Sequence, residues 1–178
     1  MARLAVLLRG VNVGGNNRLP MAELRTALAG AGFIKVDSYL QSGNVVLSGD
    51  GTADSVARRC EGVIRERFGL DVRAVVRTRE ELAAVVGADP IPGASADPRR
   101  YQVTFLEVAP DPGILARLAE VATPMERFAV IGREIYAWHP EGVARSRLAT
   151  LLAGRAFKVA ATARNWTTVT ALLSLTAD

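Results

Sequence analysis

Between Ala88 and Arg100 the chain sets Pro90, Pro92, Gly93 and Pro98 among small residues, and one succession of strand-like and helix-like patterns is read on both sides of that stretch. Proline and glycine at this density interrupt regular structure, so whatever lies to either side must fold around its own apolar periodicities. Before the break, a strand is expected at 3–9, followed by a glycine-rich loop up to Leu19. A helix then opens at Pro20, with Met21, Leu24, Leu28 and Ala31 on one face and Gly32 as its stop. Strands at 35–40 and 44–48 come next. Thr52 caps a helix with Val56, Cys60, Val63, Ile64 and Phe68 on one face, ended by Gly69. A strand at 71–77 leads into a short helix at 79–87, which Thr78 and Glu81 open as a capping box.

After the break the order recurs. A strand at 101–108, a helix at 112–122 behind Asp111-Pro112, and strands at 127–131 and 134–139 around Gly132-Arg133 are expected. A helix at 143–153, an extended piece at 156–161 and a last helix from Trp166 complete the series. Each half reads β-α-β-β-α-β plus an extra helix. The expected fold is therefore α+β, with two ferredoxin-like (split β-α-β) halves in tandem. The expected division is 1–90, a linker at 91–100, and 101–178.

Composition removes several chemistries. With one histidine, His139, and one cysteine, Cys60, the chain cannot build a Cys/His zinc site, a disulfide framework or a two-histidine metalloprotease helix. Scattered carboxylates give no metal-ligand grouping, and neither metal nor cofactor is expected. Cys60 reads as a core residue, and His139, followed by Pro140 and Gly142, reads as a turn residue. Only five apolar residues, Leu4–Leu8, follow Met1-Ala2-Arg3, too few for a signal-peptide core. No stretch is long enough for a membrane span, so a cytoplasmic protein without membrane association is the expectation.

Charge is distributed unevenly. Twenty of the 22 basic residues are arginine and the net charge is +4, yet Met1–Ala22 and Gly142–Ala177 contain no acid at all. Arg3, Arg9 and Arg18 lie in the first of these segments; Arg145, Arg147, Arg155, Lys158 and Arg164 lie in the second. If the two ends meet, they form a patch suited to phosphate or carboxylate.

Four polar segments carry the candidate site. In Arg9–Pro20, Gly14, Gly15, Asn12, Asn16 and Asn17 tolerate left-handed backbone, so the loop is either an anion cradle, with Arg9 and Arg18 at its ends, or a structural turn. It has neither the Walker nor the dinucleotide spacing. Gln41-Ser42-Gly43-Asn44 is a tight hairpin turn or a set of neutral hydrogen-bonding groups. Arg145-Ser146-Arg147 puts cations at a helix start, where the dipole opposes them. In Arg164-Asn165-Trp166, either Asn165 caps the last helix with Trp166 in the core, or Arg164 reaches an anion with Trp166 as a wall.

Taken together, Leu7–Asn17, Tyr39–Val46, Arg145-Ser146-Arg147-Leu148 and Thr162–Trp166 closely resemble the bacterial family known as domain of unknown function 1697, in order along essentially the whole chain. The resemblance implies an α+β fold with two ferredoxin-like halves and no established activity, substrate or cofactor. Where the family pattern has Gly-Arg-Ser-Lys, this chain has Ala144 and Arg147 at the Gly and Lys positions. Arginine keeps the charge but is unsuited to proton transfer or imine formation.

The expected function is binding of a phosphate-bearing ligand, a nucleotide or a nucleic-acid end. An enzyme acting on a small phosphorylated or carboxylated substrate, with arginine clamps and Ser42 or Ser146 as nucleophile, is the alternative, as is a protein-interaction module. An RNA-binding sheet is disfavoured, because the strand from Asn44 to Ser48 carries no aromatic residue.

Overall fold

Leu4, Val6 and Leu8 enter one apolar cluster while Ala5 and Leu7, on the opposite face, are buried as well. A strand apolar on both faces belongs inside a sheet. In the computed structural model, which describes residues 1–154 and 157–177, β1 (Ala2–Leu8) sits between β3 (Asn44–Gly49) and β4 (Ala74–Thr78), with β2 (Ile34–Tyr39) outside β3. All pairings are antiparallel. Helices α1 (Met21–Gly30) and α2 (Ala53–Phe68) supply the rest of this core through Met21, Leu24, Leu28, Val56, Cys60 and Ile64. Thr52 Oγ1 accepts the Ser55 N–H at 3.2 Å, and Gly69, at φ 66°, ends α2 with its N–H on Arg65 O. Helix α3 (Arg79–Ala88) follows β4 directly.

The order repeats in β5 (Tyr101–Leu106), α4 (Pro112–Val121), β6 (Arg127–Ile131), β7 (Glu134–Trp138), α5 (Arg147–Leu152), β8 (Ala161–Asn165) and α6 (Trp166–Leu175). Its sheet runs β6-β7-β5-β8, the same arrangement as β2-β3-β1-β4. The fold is therefore α+β, two four-stranded antiparallel sheets each built on the split β-α-β plan. Similarity between the halves extends to single positions. Leu8 pairs with Ala74 and Ala5 with Arg77, as Leu106 pairs with Ala161 and Val103 with Arg164.

Three expectations are corrected. The chain divides into compact units Met1–Ala83 with Leu172–Asp178, and Ala84–Ala171, so the divisions fall inside α3 and α6. The stretch expected to link two domains belongs to the second unit, where Ile91 and Ala94 are buried and bonded to each other at 3.1 Å. The helix expected at 143–153 is a 3-10 turn at Val143–Arg145 followed by α5, because Ser146 is extended and caps the shorter helix. The last strand is at Ala161–Asn165 rather than 156–161, of which 156 lies outside the described residues. As an edge strand with Arg164 on a buried face, it breaks the apolar alternation that would reveal it.

Gly43 stands at φ 80°, where an added Cβ would collide with Val11 Cγ2 and lie 2.9 Å from Leu8 Cβ. Gly43→Ala is expected to lower unfolding free energy by about 2–4 kcal/mol. Gly14→Ala, at φ 57° in open space, should cost only about 1 kcal/mol; equal losses in urea titrations would contradict this. Burial pushes the Cys60 thiol up to about 12. A thiol reagent at neutral pH should therefore label it only at the rate of unfolding; labelling at the rate of a free thiol would contradict the core assignment.

Candidate functional site

The first unit resolves the glycine-rich loop into a small hairpin. Gly14 and Gly15 take φ 57° and 79°, as both central residues of a type I′ turn must, and Asn16 N–H bonds Val13 O at 3.0 Å. One step back, Asn12 N–H bonds Asn17 O at 3.1 Å. The side chain of Asn12 is fully used: Oδ1 accepts from Leu19 N at 2.8 Å, and Nδ2 donates to Leu19 O at 2.9 Å and Gln41 O at 2.6 Å. Asn17 Nδ2 donates to Gly10 O at 3.2 Å. Asn44, wholly buried, gives Nδ2 to Tyr39 O and Ser42 Oγ, both at 3.0 Å. Asn12 thus ties the loop to the 40–43 turn, and the turn reading accounts for both segments. Asn16, Arg18, Gln41 and Ser42 are exposed, and Arg9 is partly so.

In the second unit, Arg164 points inward. Its Nη1 donates to Thr162 Oγ1 at 2.7 Å and Ala163 O at 2.8 Å, and burial pulls its pKa down to about 10. The equivalent Arg77 is buried too, with Nη1 on Val76 O at 3.0 Å. Asn165 Oδ1 accepts from Thr168 N at 2.9 Å and so caps α6. Trp166 is buried and stacks on Tyr101, with ring centroids 4.7 Å apart. That is packing within the core, and the wall reading of Trp166 does not fit it.

Arg145, Ser146 and Arg147 do come together, around a cavity of about 120 Å³ that Thr123, Glu126 and Glu141 also line. Both arginines are exposed, and neither makes an ion pair among the described residues. Ser146 is buried and caps α5, its Oγ accepting from Ala149 N at 2.9 Å. Its hydroxyl donates to Glu126 Oε1, on which His139 Nδ1 also lies at 2.9 Å. Thr123 N donates to Glu126 Oε2 at 3.0 Å. Burial disfavours the Glu126 anion, but the bonds from His139, Ser146 and Thr123 outweigh it and hold the carboxyl below its ordinary 4.5.

This cluster is not a nucleophilic triad. The imidazole nitrogen beside Ser146 Oγ, at 3.1 Å, is the same Nδ1 that lies on the Glu126 carboxylate. The other nitrogen, Nε2, is buried without a partner. A triad sets one imidazole nitrogen on the carboxylate and the other on the hydroxyl, whereas here Nδ1 faces both. His139 is a turn residue in its backbone, its carbonyl accepting Gly142 N–H at 2.9 Å, but its side chain does more than that reading gave it. Register could have found the pair: Arg127 opposes Trp138 across the hairpin, so Glu126 and His139 are the next residues out.

Among the described residues no helix is long and apolar enough to cross a membrane, and no group of three or more His, Cys, Asp or Glu could hold a metal ion. Fold and site together define a two-sheet α+β protein with exposed arginines over a buried polar cluster. The model of the family described as "Protein of unknown function (DUF1697)" matches residues 1–136, and the chain belongs to that family. Arg145–Leu148 and Thr162–Trp166 lie beyond the matched residues. A conserved bacterial protein, SP0830 from Streptococcus pneumoniae, has a similar structure, with a TM-score of 0.79, 25% identity and 98% of each chain covered. No curated protein matches.

A carboxyl held below its ordinary value stabilises the fold above 4.5, and that contribution is lost as pH falls below it. Glu126→Gln should cost about 1–3 kcal/mol at neutral pH and make the loss of stability below pH 4.5 shallower. Urea unfolding at several pH values reads both effects; parallel pH profiles for the two proteins would contradict them.

Proposed function

We propose that this chain binds a phosphate-bearing ligand, a nucleotide or a nucleic-acid end, and that Arg145 and Arg147 grip the phosphate. One observation supports this above the rest: both arginines border a cavity of about 120 Å³ without an acidic partner among the described residues. The nearest buried acid, Glu126, is already occupied by His139, Ser146 and Thr123 N–H. Ligand pockets for whole small molecules run to roughly 300–1,000 Å³. This one suits a single anionic group, with the remainder of the ligand outside. Paired guanidinium groups bind phosphate oxygens through forked, charge-assisted hydrogen bonds. Glu141 opposes them from an exposed position, where water and salt screen its charge.

The reading lies wholly within the second unit. Arg9 and Arg18 give the first unit its own accessible cations, but Asn12, Asn44, Arg164 and Trp166 are committed to internal contacts and are left out of it. The enzymatic alternative finds less support. Glu126 is the group that takes the Ser146 hydroxyl bond, and a carboxyl held below its ordinary value is a poor base.

Adenosine monophosphate and a 5′-phosphorylated oligonucleotide should bind in the micromolar range at about 50 mM salt and weaken markedly at about 200 mM. Arg145→Ala and Arg147→Ala should each weaken binding about tenfold, and a 5′-hydroxyl oligonucleotide should bind less tightly than its phosphorylated form. Salt-insensitive binding, no binding, or indifference to the terminal phosphate would overturn the proposal.

A further inference from the structure

A second cavity of the same unit, of about 400 Å³, opens where β5 ends and the chain turns into α4. Leu106 and Ile114 form its buried floor, and Phe157 and Val159, partly buried, pack against the same core as Leu106. Val108, 50% exposed, stands at the rim. Val108 extends the apolar lining from the buried floor to the solvent edge of the cavity.

Charge at this cavity is as specific as its shape. Arg117, one turn after Ile114 on α4, and Lys158, between Phe157 and Val159, both line it. Neither makes a hydrogen bond or an ion pair among the described residues. The one acid in the lining, Asp111, spends Oδ1 on the Ile114 N–H at 2.9 Å, capping α4. Two cations against one exposed carboxylate leave a single positive charge at an apolar cavity whose volume lies in the range for whole small molecules.

We infer that this cavity binds a small amphipathic monocarboxylate, its apolar body against Leu106, Ile114, Phe157 and Val159 and its carboxylate between Arg117 and Lys158. The site is separate from the phosphate seat at Arg145 and Arg147 and does not rest on it. A carboxylate matches the single unbalanced charge, and the arginine fork can take both its oxygens. The aliphatic stems of Arg117 and Lys158 extend the apolar wall while their charged ends stay in water.

Titration calorimetry with octanoate, octanol, acetate and inorganic phosphate tests this on the intact chain, with amide shifts mapping the site. Octanoate should bind at least about tenfold more tightly than each of the other three. Its shifts should centre on 106–117 and 157–159. Arg117→Ala and Lys158→Ala, both surface substitutions, should each weaken octanoate several-fold, as should Val108→Asp at the rim. Saturating adenosine monophosphate should leave octanoate binding unchanged. Octanol or phosphate binding as tightly as octanoate, shifts elsewhere, unaffected variants, or displacement by the nucleotide would overturn the inference.

Discussion

The carboxylate of Glu126, only 6% exposed, receives three donors from three places in the chain: the backbone of Thr123, the imidazole of His139 and the hydroxyl of Ser146. Removing a charge from water costs several kcal/mol unless hydrogen bonds replace the lost solvation. Here they do. The β6–β7 hairpin brings Glu126 and His139 together as the pair beyond Arg127 and Trp138. Ser146 then joins them to the start of α5, where its oxygen also accepts from Ala149 N. Arg145 and Arg147 flank Ser146 in sequence and line the same cavity.

That arrangement separates two kinds of polar residue that look alike in the sequence. Asparagines and glycines at 12–17 and 41–44 build hairpins and the bonds between them. Arg164, like its counterpart Arg77, is held inside its sheet. Exposed cations remain beside them, Arg18 in the first unit and Arg145, Arg147 and Lys158 in the second, along with the exposed Asn16, Gln41 and Ser42. An acid-free segment is thus partly an internal structural element and partly exposed, positively charged surface.

The element order was legible because each half repeats strong local signals, such as the Thr52 cap, the Val56-Cys60-Ile64 stripe and Gly69 after it. Gly14-Gly15 was legible as backbone in the left-handed region, but φ alone does not distinguish an anion cradle from a type I′ turn. The difference lies in Asn16 N–H reaching Val13 O. β8 lies later in the chain than the extended piece expected at 156–161, because a buried arginine mimics a surface residue in any pattern of polarity. Glu126 carries no local signal, for another reason. Two of its three partners, His139 and Ser146, lie 13 and 20 residues away, and the hairpin register that brings His139 to it is not carried by single-residue patterns.

A double-mutant cycle on Glu126→Gln and Ser146→Ala measures the Glu126 cluster most directly, since Ser146 also caps α5 and only the coupling isolates its bond to the carboxylate. The account predicts a coupling energy of about 1–2 kcal/mol in urea unfolding at neutral pH. Destabilisations that add to within about 0.3 kcal/mol would show that the two groups act independently and would contradict it.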